Sequence, residues 1–366
     1  MGISLPYRGE STIDFAWNEV TGAIGDSVTV LPFVVAVAVL TDLSLAMMLI
    51  WFGIFQIVWG LFYGVPVSVE PMKALAALIL AGTITTGELL LAGGLLGVVL
   101  VSIGVTDTLS HVGQYIGSPV VRGIQFGVGL VLIKTGLRIG GSNVELAGLA
   151  VGIALLLIVL GQWNLTPIVI LVVGGLIAGY QTGLPSPTIP TTDGLFLMRT
   201  TSLTLSTIEA TIAQLAMTVG NAALAASVLL YDYFDRDISA DELSTSMGVM
   251  NLVAIPFGAL PMCHGSGGIA GKYAFGARTA GANLILGVGY IGIALLGVGL
   301  VAVYPVSMLG VILILIGLQL GRTSLEQTQS YPLVISIGVL GMIVNLGLAF
   351  IIGILVFLFL KYREST

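Results

Sequence analysis

Charge is what this sequence has least of. Asp, Glu, Lys and Arg together make up 8% of its 366 residues, against about 25% in a soluble domain. Water is therefore not the solvent of most of its surface. Cysteine is almost absent: Cys263 stands alone, which excludes an intrachain disulfide and a multi-cysteine metal centre. Cys263 and His264 are adjacent, but two ligands without a third nearby do not make a zinc site, so no metal is expected. No run of Lys and Arg points to nucleic acid. The pattern Gly-x-x-x-x-Gly-Lys-[Ser/Thr] does not occur, which argues against ATP binding, and no cofactor is expected. No triad-like grouping suggests an enzyme. Residues 1–20 lack an early apolar core, so no cleavable signal peptide is expected.

What is present is apolar sequence, 57% of the chain. Runs such as 28–40, 43–62, 89–105, 146–160, 284–303 and 333–360 approach the roughly 20 residues needed to cross a bilayer. They are continuous rather than alternating, which predicts helices and not a barrel. The 50 glycines suit close helix packing and locally unwound membrane segments. The expected partner of this surface is the lipid bilayer.

The largest break lies at 181–204, with Pro185, Pro187, Pro190, Thr191 and Thr192. It predicts a linker between a first repeat at 1–180 and a second at 205–366. At an offset of 195, Gly25-Asp26 falls on Gly220-Asn221, Gly53 on Gly248, Gln56 on Asn251, Phe62 on Phe257 and Pro66 on Pro261. After a slip of nine, Pro119 falls on Pro305. The apolar pattern predicts seven elements per half: 20–40, 43–62, 66–82, 86–105, 119–138, 144–161 and 166–180, then 205–230, 243–258, 261–279, 282–302, 305–321, 331–345 and 347–361. An odd number puts the halves in opposite orientations, a recurring plan of secondary transporters. The expected fold is an all-α integral membrane protein of fourteen transmembrane segments in two inverted seven-segment repeats. With both termini cytoplasmic, Arg8, Arg122, Arg236, Arg278, Arg322, Lys361 and Arg363 lie on or near the inside, and Arg138 and Arg199 outside, as the positive-inside rule prefers.

Two interrupted segments occupy matching places: residues 64–73, with Pro66, Ser68, Glu70, Pro71, Met72 and Lys73, and residues 258–268, with Pro261, His264, Gly265, Ser266, Gly267 and Gly268. Each reads as extended backbone followed by a helix start. Pro71 suits a first helical turn, and Val67 and Val69 favour an extended approach. Unwound chain in lipid must line a cavity or be buried in protein. A helix N-terminus carries about half a positive charge and unpaired N–H donors, so two facing half-helices would make an anion site.

The run at 261–279, PMCHGSGGIAGKYAFGART, resembles the most distinctive segment of the molybdate transporter family, within the sulfate permease superfamily. GDSVTVLPFVVA (25–36), VPVSVEPMKALAAL (65–78), PVVRGIQFGVGL (119–130) and QLAMTVGNAALA (214–225) are similar to further stretches of that family. The resemblance implies a core domain (about 20–105 plus 205–302) and a gate domain (about 106–180 plus 303–361). It implies an oxyanion bound between half-helices in segments 3 and 10 and flanked by segments 1 and 8, and homodimers through the gate. The sulfate permeases' soluble C-terminal regulatory domain is not expected here. On this reading Ser27, Thr29, Ser68, Glu70, Pro71, Met72, Gln214, Thr218, Asn221, His264, Gly265, Ser266 and Gly267 are candidate substrate-binding residues. Three positions depart from the family: Glu70 stands where glutamine is usual, and Ser27-Val28 follow Gly25-Asp26 where Leu-Gly is usual.

Several residues keep two readings. Glu70 either pairs with Lys73 at i,i+3, caps a half-helix, or carries a coupling proton. Asp26 either couples a proton or orients a site group, or is a buried carboxylate held by hydroxyls such as Ser27 or Thr29. Gln214, Thr218 and Asn221 share one helix face at i, i+4, i+7 and donate either to the oxyanion or to other helices. His264 is an oxyanion donor or a structural contact. Lys272 is expected toward the cytoplasmic end of segment 10, where it would attract anions. The expected activity is secondary transport of a tetrahedral oxyanion across the cell membrane by alternating access with proton symport. Molybdate is the first substrate, sulfate or tungstate next. The alternatives are a nucleobase permease of the same fold and an anion channel.

Overall fold

Lipid leaves an open backbone without hydrogen-bond partners, so long apolar runs close into helices. The computed structural model describes residues 3–4, 12–109, 116–183, 201–296, 298–301 and 303–365. A small hairpin of β1 (Ile3–Ser4) and β2 (Thr12–Ile13) precedes α1 (Trp17–Leu40) and α2 (Leu45–Tyr63). Extended chain containing β3 (Glu70–Pro71) leads into the short α3 (Lys73–Leu80), and α4 (Thr86–Val105) follows. The first half ends with α5 (Ser118–Gly140), α6 (Val144–Val159) and α7 (Thr166–Thr182). The second opens with α8 (Leu205–Met217), a π-helical stretch (Thr218–Ala225) and α9 (Ala226–Phe234), which together form one span. Next come α10 (Ala240–Ala254), extended chain containing β4 (Met262–Cys263), and the short α11 (Ser266–Ala274). The rest comprises α12 (Gly281–Leu296), α13 (Val298–Val301), α14 (Val306–Glu326), α15 (Tyr331–Ile343) and α16 (Leu346–Ser365).

Among the described residues, 8 helices are long and apolar enough to cross a membrane. With the shorter helices and the two broken segments, each half supplies seven elements, close to the boundaries the apolar pattern predicts. The breaks fall inside the elements expected at 66–82 and 261–279. Most of the predicted linker, at 184–200, lies outside the described residues with its prolines and Arg199, as does Arg8.

The repeat register is visible as shared work. Gly64 ends α2 at φ 71, and Gly258 ends the turn after α10 at φ 82. Both adopt the left-handed conformation that a Cβ resists. Gly53 crosses α12 where a Cβ would come within 2.6 Å of Gly287 O, and Gly248 crosses α4 where one would come within 2.7 Å of Gly97 O. These small residues let the helix backbones touch, which is how membrane helices pack without a water-driven force.

The helices pack in two groups. In one, α2 lies on α12, α4 on α10, and α1 on α11 and α12. In the other, α5 lies along α14 and α15, with α6 and α7 beside α14. The groups meet where α3 and the π stretch touch α5 and where α8 touches α16. Helix α6 buries only Ala150 and Ala154 and turns Leu155, Leu156 and Val159 outward. Leu355 and Phe359 of α16 also face out, a surface suited to lipid.

Candidate functional site

The two extended segments cross in the interior as a two-stranded antiparallel ladder, Glu70 opposite Cys263 and Pro71 opposite Met262. Met72 N–H donates to Pro261 O at 2.8 Å. The remaining backbone groups need partners away from water, and side chains supply them. Asn251 accepts from Met262 N at 2.8 Å and donates to Met262 O at 2.7 Å. Its repeat mate Gln56 donates to Val69 O at 3.2 Å. Asn283 donates to Val67 O at 2.7 Å. His264 Nδ1 lies 2.8 Å from Ser68 O. A carbonyl only accepts, so Nδ1 carries a proton, and Nε2 lies 2.8 Å from the Ser246 hydroxyl.

Behind the crossing is a fully buried charge network. Asp26 lies 3.1 Å from Lys272 Nζ. Its carboxylate also accepts from Ser68 Oγ at 2.7 Å and Gln56 Nε2 at 2.9 Å. Lys272 donates to Gln56 Oε1, Val67 O and Asn283 Oδ1, each at 2.8 Å. The expected hydroxyl partners of Asp26 are not the ones used: Ser27 Oγ donates to Ala23 O, and Thr29 Oγ1 to Asp26 O. Lys272 is not at an accessible end of its segment but wholly enclosed, because the α1–α11 contact turns it inward. One fixed cation is thereby matched to one fixed anion in a dry interior, where either alone would be costly.

The two half-helix starts are treated differently. At α3, Gln214 Oε1 accepts from Ala74 N at 2.9 Å and Leu75 N at 3.3 Å, so a side chain already caps that end. At α11, the first intrahelical bond runs from Ile269 N to Gly265 O. The amides before it are the ones a helix leaves unpaired. Glu70 lies on this first turn: a Cβ at Gly265 or Gly268 would collide with its carboxylate. Glu70 Oε2 pairs with Lys73 Nζ at 2.6 Å, while Oε1 is buried with no hydrogen-bond partner. The i,i+3 pairing is the arrangement adopted.

A cavity of about 490 Å³ opens in front of α11. Ser266, Gly267, Lys73, Thr29, Gly25 and Asn221 form one wall, and Arg122, Gln125, Asn164, Gln319 and Thr323 contribute to the other. It extends to Tyr233, Phe275 and Gln327, toward the face that carries the N-terminus of α1 and the C-terminus of α14.

Of the residues singled out in the sequence, Thr29, Asn221, Ser266 and Gly267 line this cavity. Ser266 Oγ donates to Asn221 Oδ1 at 2.6 Å. Glu70 and Gly265 sit one layer behind. Asp26, Ser68, Pro71, Met72 and His264 belong to the crossing and its buried support, while Ser27 is buried on α1 with its hydroxyl on Ala23 O. Gln214, Thr218 and Asn221 do not act on one face. Gln214 donates to Thr218 at 3.0 Å and serves α3, whereas Asn221 serves α11. The π-helical stretch starting at Thr218 widens the turn and rotates Asn221 away from the α-helical phase. Arg122 and Gln125 were not expected at the site, and Lys73 was weighed only as a partner of Glu70. Arg122 read as a topology marker; its place inside an apolar run was the available signal.

Comparison with known proteins agrees with this architecture. The family described as "Molybdate transporter of MFS superfamily" matches at residues 18–132 and again at 206–320, one stretch in each half. The chain belongs to that family. It is 28% identical to "Molybdate transporter 2" of Arabidopsis thaliana over 94% of this chain and 88% of that one. It is 29% identical to "Molybdate transporter 1" of the same plant over 84% of this chain and 79% of that one. Among solved structures, the transmembrane domain of the cyanobacterial bicarbonate transporter BicA superposes with a TM-score of 0.67 at 18% identity, covering 92% of this chain and 97% of that one. Murine Slc26a9, an anion transporter in the inward-facing state, superposes at 0.69 with 14% identity, covering 96% and 69%. These likenesses establish the fold as the seven-plus-seven inverted repeat, and the family is one of transporters rather than enzymes.

Proposed function

We propose that this chain moves a tetrahedral oxyanion, molybdate first and sulfate or tungstate next, across the cell membrane by alternating access. The observation that carries the reading is the cavity where Lys73, Ser266, Gly267 and Asn221 gather at the open N-terminus of α11. Partial positive charge, hydroxyl and amide groups can hold an oxyanion there without trapping it. The α1–α4 and α8–α12 group is the core and the α5–α7 and α14–α16 group the gate, and the core slides against the gate. With both termini cytoplasmic, the cavity faces inward. A homodimer would form through the gate.

Proton symport is assigned to Glu70 rather than Asp26. Asp26 already has Lys272, Gln56 and Ser68 around it, whereas Glu70 has one oxygen without a partner and a neighbour, Lys73, that the substrate would also seek. An arriving oxyanion competes with the carboxylate for Lys73, and the released carboxylate takes up a proton. The test is uptake of labelled molybdate into proteoliposomes, with tungstate, sulfate and uracil as competitors. Tungstate and sulfate should compete and uracil should not; competition by uracil alone would replace the oxyanion reading with nucleobase transport. Single-channel conductance in a planar bilayer would replace carrier with channel.

A further inference from the structure

The cavity has a second wall, and its chemistry is not explained by packing. Arg122 lies on α5 within the apolar run that follows Pro119. It is half-buried and lines the cavity together with Gln125. Its Nη1 donates to Gln125 Oε1 at 2.8 Å, a neutral partner that orients the guanidinium without cancelling its charge. Ion pairs among the described residues include Glu70–Lys73, Asp26–Lys272 and Arg322–Glu326. None of them includes Arg122. A cation within a membrane segment is costly unless something answers it, and one facing a cavity marks a ligand path.

We infer that Arg122, positioned by Gln125, is the gate-side half of the substrate site and selects a doubly charged oxyanion over a singly charged one. This rests on the oxyanion reading above and adds to it the residue that sets the preference for a dianion. On the core side of the empty site Lys73 is offset by Glu70, so an arriving anion first meets only the helix end with about half a positive charge. That alone matches a monoanion poorly and a dianion worse. Arg122 raises the local charge to about one and a half, which favours a dianion. Its planar fork can bind two oxygens of a tetrahedral anion at once, which a lysine cannot do. Because α5 belongs to the gate and α11 to the core, a bound dianion would bridge the two groups, so binding and closure are linked.

The experiment compares wild type, R122Q and R122K in proteoliposomes, with molybdate uptake measured against concentration and against sulfate and nitrate as competitors. Arg122→Gln should raise KM at least tenfold, change kcat less, and narrow the preference for sulfate over nitrate as competitor. Arg122→Lys should restore that preference while recovering only part of the affinity. An R122Q protein with unchanged KM and unchanged preference overturns the inference. So does one that loses kcat alone with the sulfate-over-nitrate order intact, since that is a structural effect. Should R122Q fail to reach the membrane, Gln125→Leu supplies the same test through the orientation of Arg122: KM should rise, and an unchanged KM counts against the role. Wild-type protein that takes up no oxyanion would sink the transport reading itself, a result distinct from any of these.

Discussion

At the scale of single residues, the site is arranged by which charges are answered and which are not. Glu70 and Lys73 are paired and Glu70 keeps one unpartnered oxygen, the arrangement on which the proposed coupling role rests. Glu70→Gln cannot exchange a proton. Its uptake should lose most of its pH dependence while continuing at a reduced rate, and a pH profile identical to wild type would remove Glu70 from coupling. Asp26 and Lys272 are answered by each other in a dry setting. Lys272→Met leaves a buried carboxylate alone, a loss of about 3–5 kcal/mol, seen as a lower unfolding temperature in detergent. Adding Asp26→Asn should recover much of that loss. If the double variant is no more stable than K272M, the pair is not the source of the cost.

At the scale of elements, the broken segments depend on amide side chains that replace helical hydrogen bonds. Asn251 satisfies both backbone groups of Met262. Asn251→Ala leaves two buried polar groups without partners, at about 1–3 kcal/mol each. The α10–α11 region should then show faster amide hydrogen exchange, while α5 and α14 should not; uniform change across the protein would argue against a local clamp. The offset that pairs Gln56 with Asn251 and Gly53 with Gly248 was legible because the two halves meet the same backbone problem with the same kinds of residue. The phase of Asn221 was not legible. A π-helical stretch shows no distinct spacing of apolar residues, and the i, i+4, i+7 rule assumes the α-helical turn.

At the scale of the whole molecule, the reading requires the two helix groups to move against each other. A Cβ on Gly220 of the π stretch would lie 3.1 Å from the Cβ of Val121 on α5, near the roughly 3.5–4.5 Å of a disulfide. In a Cys263→Ser background, a G220C/V121C pair oxidised to a cross-link should stop uptake, and reduction should restore it. Full uptake by the cross-linked protein would show that α5 and the π stretch stay together through the cycle, and the proposed sliding would be wrong.

The amino-acid sequence alone determined that this chain lives in lipid, that it is helical, that it is built from two related halves, and where each half is broken. Those properties follow from local composition: apolar run length, prolines and glycines at the interruptions, and a repeated order of residue types. Tertiary structure alone decided which of the polar residues face the cavity. Lys272 and His264 were drawn into the support of the crossing, α3 had its end closed by Gln214, and Arg122 was brought from a distant helix to the cavity that α11 also lines. Side-chain direction in a membrane bundle depends on which helix lies opposite, and with apolar residues on nearly every face the sequence carries no stripe from which that partner could be read.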